Sequence, residues 1–161
     1  MKKIFNNTGM FGLMLWGIVL LIGCADSNKE KAVAALGERR DDGSIAVRLS
    51  ALDIDIRDAS QNEEQSELTF VLKISVDNDL CDLVDVVVSY QILYDLNHTD
   101  ANFAGKSFTF TADIGRIKKG HTVEENITRG TNGPVALDSI SVSQVIVRDL
   151  QNCSTDPFRP G

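Results

Sequence analysis

Two stretches of alternating hydrophobicity constrain this chain more than any other feature. From Glu67 to Asn78, Leu68, Phe70, Leu72, Ile74 and Val76 take every second position; Thr69, Lys73, Ser75 and Asp77 lie between, and only Val71 breaks the pattern. Extended backbone puts those five apolar side chains on one face, whereas helical spacing would scatter them around the axis. Leu83 to Asp95 repeats the theme with Val84, Val86, Val88, Tyr90, Ile92 and Tyr94 aligned, while Val87 and Leu93 add apolar character to the other face. Such a strand lies centrally, or its outer face meets something.

Shorter runs follow at Lys106 to Asp113 (Phe108, Phe110, Ala112), His121 to Thr128 (Val123, Ile127) and Ser139 to Leu150, and Val135 to Leu137 offers one more short pairing. Earlier, Ile45, Val47 and Leu49 alternate, then Leu52, Ile54 and Ile56 resume one step out of phase. A slip of one residue reverses the buried face, so a bulge or a switch between sheets is needed near Ser50-Ala51. With no helix of any length expected after Ser44, the pattern predicts an all-β domain. The expected form is an immunoglobulin-like antiparallel β-sandwich of six or seven strands over residues 44–161, with a small barrel as the competing shape.

The N-terminus carries an address. Lys2 and Lys3 precede an uncharged apolar stretch from Met10 to Ile22. As a helix it would rise only about 20 Å, too short for the roughly 30 Å hydrocarbon core of a bilayer, so it reads as a secretory signal peptide. The residues that close it, Leu21-Ile22-Gly23-Cys24, resemble the lipobox of bacterial lipoproteins. The resemblance implies cleavage after residue 23, acylation of Cys24 and a lipid-anchored protein of the cell envelope. Ala25 rather than aspartate follows the cysteine, which favours an outer membrane facing the periplasm over the inner membrane; Asp26 comes one residue later. Loss of Lys2 and Lys3 would take the net charge from −7 to −9. That acidity argues against nucleic acid, which needs a basic face.

Residues 24–43 balance Asp26, Glu30, Glu38, Asp41 and Asp42 against Lys29, Lys31, Arg39 and Arg40. A short helix from Lys29 to Glu38 is the alternative, but Ala32, Val33, Ala34, Ala35 and Leu36 are mostly small. The segment reads as a polar tether spanning roughly 25 Å between lipid and domain.

Inside the domain, Val86-Val87-Val88-Ser89-Tyr90-Gln91-Ile92-Leu93-Tyr94-Asp95, then Phe108-Thr109-Phe110 and Ile117-Lys118-Lys119-Gly120, resemble the FxLYD family of bacterial extracytoplasmic domains. Leu93, Tyr94 and Asp95 match, whereas Gln91 stands where the family has its leading Phe. The resemblance implies a β-sandwich on an envelope protein and brings no catalytic residues.

With Cys24 set aside for lipid, Cys81 and Cys153 remain as an even pair in an exported chain, where a disulfide forms and persists. Two unpaired thiols are the alternative, and two sulfurs without a Cys or His partner make an incomplete metal site. Asp77, Asp79 and Asp82 form an acidic loop with the oxygen ligands that Ca²⁺ takes, although no EF-hand spacing is present and Asp and Asn also favour turns. His98 and His121 read as surface histidines. No nucleophile elbow, phosphate-cradling loop, dinucleotide fingerprint or helical zinc motif occurs, so no catalytic residue and no cofactor are expected. The function expected is a non-enzymatic interaction or assembly module with an envelope protein as partner. The alternative is a module that binds an ion, glycan or small molecule. Candidate surfaces are the Asp77–Asp82 loop, the Leu96–Ala104 loop and the outer face carrying Val87 and Leu93.

Overall fold

The structure is a computed structural model and describes residues 27–76 and 81–153. Two antiparallel sheets pack face to face. One has five strands in the order β1 (Gly37–Arg39), β2 (Ile45–Val47), β8 (Ser141–Gln151), β5 (Asp82–Leu93), β6 (Ser107–Ile117). The other has three, in the order β3 (Leu52–Gln61), β4 (Glu67–Val76), β7 (Thr122–Gly130). The fold is therefore the all-β sandwich that the alternation predicts, with seven strands after Ser44 and one before it.

Alternation explains most of the core. Along β4, Leu68, Phe70, Leu72, Ile74 and Val76 are buried and the intervening residues are not. Phe70 meets Tyr90 of β5 edge-on, with ring centroids 5.3 Å apart, across the sandwich interior. The phase break between Leu49 and Leu52 is a change of sheet. A one-turn 3-10 segment, Leu49–Ala51, carries the chain from β2 in the five-stranded sheet to β3 in the three-stranded one.

β5 departs from the simple reading at one place. Leu83 and Val86 are both fully buried, while Val84 is only partly so. Asp85 takes a positive φ of 52°, and the ladder to β6 shifts register between Leu83 and Val86. β8 makes the matching adjustment, burying Leu150 and Val147 three residues apart opposite Leu83 and Val86. Both strands gain a residue together, so their mutual register survives and the inward face resumes beyond the bulge.

The segment read as a tether belongs to the domain from residue 27 onward. Residues 27–36 form helix α1, which buries Ala32, Val33 and Leu36 among the same core residues as Ile45 and Val47. Positions i, i+1 and i+4 make a narrow helical stripe, and the small side chains let the helix lie close. The opposite side of β2 and β8, carrying Ala46 and Ile146, remains partly exposed, so α1 packs on the inner side, where the narrower sheet leaves room. Arg48 donates to the Ala34 and Ala35 carbonyls at 2.9 and 2.6 Å, satisfying acceptors that a helix end leaves free. Gly37 then turns the chain into β1, where a Cβ would lie 2.0 Å from the Ala46 carbonyl oxygen, so only glycine fits.

Candidate interaction surfaces

Cys81 and Cys153 are joined as a disulfide across a sequence separation of 72 residues, which ties the start of β5 to the end of β8. Cys24, Asp77 and Asp79 lie outside the described residues. Asp82, next to the disulfide, is 5% exposed and fully engaged. Its Oδ1 accepts from the Lys119 backbone N–H at 3.0 Å. Its Oδ2 accepts from Asn152 Nδ2 at 2.8 Å and from the Arg116 guanidinium at 3.0 Å. The Lys119 amide, the Asn152 amide and the Arg116 charge together hold the Asp82 carboxyl below its ordinary range against the opposing effect of burial. The residue thus clamps β5, the β6–β7 turn and the end of β8 together. Its oxygens are spent on the chain itself, so of the three acidic-loop residues the one described here is occupied within the fold. Among the described residues no three His, Cys, Asp or Glu side chains gather in a metal-binding group.

The Leu96–Ala104 loop is not a plain surface turn. His98 is only 8% exposed, which corrects its reading as a surface histidine; His121 is exposed as expected. The loop folds around Tyr94, whose ring lies 5.4 Å from His98, 5.0 Å from Phe103 and 5.5 Å from Phe108. The Asp100 backbone N–H donates to His98 Nδ1 at 2.9 Å, so in the neutral ring Nε2 carries the proton and donates to the Asn132 carbonyl at 2.6 Å. This box fixes the loop and leaves Leu96 outside it, 83% exposed.

Val87 and Leu93 share the outer face of β5 but not a patch. Six residues separate them, about 20 Å along a strand, with Ser89 and Gln91 between. Val87 instead aligns with Ile146 and Ala46 in a partly exposed cross-strand row. With Arg40, Asp42, Ser44 and Arg148, Val87 and Ile146 line a shallow groove of about 440 Å³. The Ser44 hydroxyl and N–H both donate to Asp42 and keep its carboxyl below the ordinary range.

No protein-family model matches the chain, and no curated protein matches it.

A second groove, of about 520 Å³, was not among the surfaces expected from sequence. It is lined by Leu49, Leu52, Ile54, Ile56, Ile140 and Val142, with Asp53 and Ser141 completing the wall. Its residues come from the sheet-switching segment, from β3 and from the start of β8. No alternation pattern marks them as a unit, because each run reads separately as an ordinary core-facing strand.

Proposed function

We propose that the protein is a lipid-anchored component of the bacterial cell envelope whose β-sandwich is a non-enzymatic interaction or assembly module. The observation that carries this reading is the sequence Leu21-Ile22-Gly23-Cys24, closing a short apolar stretch behind Lys2 and Lys3. Two features support the module half. Asp82, the described member of the acidic loop, and His98 are both committed to hydrogen bonds within the chain. The largely apolar groove on β3, and the mixed groove where Val87 and Ile146 meet Arg40, Asp42 and Arg148, are the kind of surface that contacts another chain. The acylated Cys24 holds the module at the membrane, with the outer membrane facing the periplasm as its favoured site.

Two measurements test this in native cells. Metabolic labelling with an alkyne fatty acid is expected to tag the protein at Cys24, and Cys24→Ala is expected to abolish both the tag and sedimentation with membranes. Crosslinking of the acylated protein is expected to yield a near-stoichiometric envelope partner above the level seen with Cys24→Ala. A Cys24→Ala variant that still labels and sediments would overturn the anchor, and absence of any partner would favour the ligand-binding alternative.

A further inference from the structure

The three-stranded sheet faces one of five strands, and among the described residues β3 pairs only with β4. Among the described residues no strand pairs with its other edge. Beside that edge lies the groove whose walls are Leu52, Ile54 and Ile56 of β3 together with Leu49 and Val142, and no residue of α1 lines it. Leu49 is 38% exposed. A free backbone edge next to an apolar trough is what an added strand requires: main-chain groups to pair with, and a place for every second side chain.

We infer that this edge and groove are the docking site for an extended segment of a partner protein in which apolar residues alternate with Lys or Arg. The inference rests on the interaction-module reading and names the chemistry of its partner. The apolar side chains would enter the groove. The alternate ones would fall on the outer face of the sheet beside Asp53 and Asp55, at cross-strand distance. Asp53 has no ion pair among the described residues and faces Ser75 across the ladder, whereas Asp55 has Arg57 at 3.8 Å and Lys73 opposite it on β4. A basic residue supplies the counter-charge that Asp53 lacks. A second copy fits poorly, because two β3 edges brought together would oppose acidic side chains in chains already carrying a net charge of −7.

The usable edge has a limit. The β3–β4 ladder shifts between Arg57 and Ser60, and Asp58 sits at φ 56°. The bulge twists the strand away, so docking is confined to Leu52–Arg57, about 20 Å of extended chain. Acidic side chains and a bulge are also how sheet edges avoid indiscriminate pairing. Here the same carboxylates that repel another copy select a basic segment.

The test is photocrosslinking of the full, acylated chain in native cells, with p-benzoylphenylalanine in place of Leu49 and the crosslinked peptide sequenced. The expected adduct is a segment alternating apolar residues with Lys or Arg. Its yield is expected to fall about tenfold in Asp53→Lys. Asp53 is exposed and faces Ser75 across the ladder, so the denaturation midpoint of that variant should stay near the parent's, and this is measured alongside. An adduct to a second copy, to residues 154–161 or to an acidic segment overturns the inference, as does a yield indifferent to the charge reversal. An adduct from a probe at Val87 but none from Leu49 removes this docking site and leaves the interaction module standing. No adduct from either position removes both.

Discussion

Asp82 illustrates how a side chain that looks available in sequence is used up by its own fold. Its two oxygens receive an amide N–H, a side-chain amide and a guanidinium from separate parts of the chain. Removing the carboxylate leaves three donors without their acceptor, so Asp82→Ala is expected to cost about 1–3 kcal/mol in urea unfolding. The pH dependence has a definite sign. The folded state holds this carboxyl below its ordinary 3.8, so the bonded carboxylate stabilises the fold above that pH. The contribution is lost as pH falls below 3.8 toward the folded-state value. The gap in urea midpoint between parent and Asp82→Asn should therefore be full at pH 7 and narrow under acid; a gap constant down to pH 2 would contradict the clamp. His98 makes a related point. Among the polar residues of the loop (Asn97, Thr99, Asp100), nothing local marks it as buried. Its burial is decided by the rings of Tyr94 and Phe103 and by the Asn132–Gly133 backbone, which arrives from further along the chain.

Helix α1 is the element on which the sequence reading and the structure part most clearly. A tether contributes nothing to folding, whereas α1 buries Leu36 to 1% exposure. Leu36→Ala is therefore expected to destabilise the domain by about 2–4 kcal/mol in chemical denaturation, and a tether would show no change. The strands were legible because period two persists over ten residues or more in β4 and β5, and the change of sheet at Leu49–Ala51 was legible as a phase error. The helix was obscured because its buried stripe has only three residues, two of them small, set among charges that also suit a solvated linker. The bulge at Asp85 was hidden in a run of valines, where Val84, Val86 and Val87 offer either face equally apolar side chains. The groove beside β3 was illegible for a different reason: its walls come from three separate stretches, Leu49, Leu52–Ile56 and Ile140–Val142, that only the fold brings together.

At the scale of the whole molecule, the disulfide and the Asp82 clamp secure the same end of the sandwich. The Cys81–Cys153 bridge closes a loop with a sequence separation of 72 residues. Chain entropy assigns such a loop roughly 4 kcal/mol. Cys81→Ala/Cys153→Ala is thus expected to lower the unfolding free energy by about that amount, and reduction with dithiothreitol should bring the parent to the same midpoint. Equal midpoints for oxidised and reduced parent would show that the bridge does not form in solution. The position of α1 has its own consequence at this scale. Its first described residue, Ser27, stands three positions after Cys24, and three residues reach at most about 11 Å. A domain of this length has a radius of gyration of about 14 Å. On the proposed acylation of Cys24, the protein would have almost no leash, and everything it touches would lie in a film roughly as deep as the molecule is wide. Its encounters are then those of a two-dimensional population, governed by copies per area of membrane rather than by concentration in the surrounding volume.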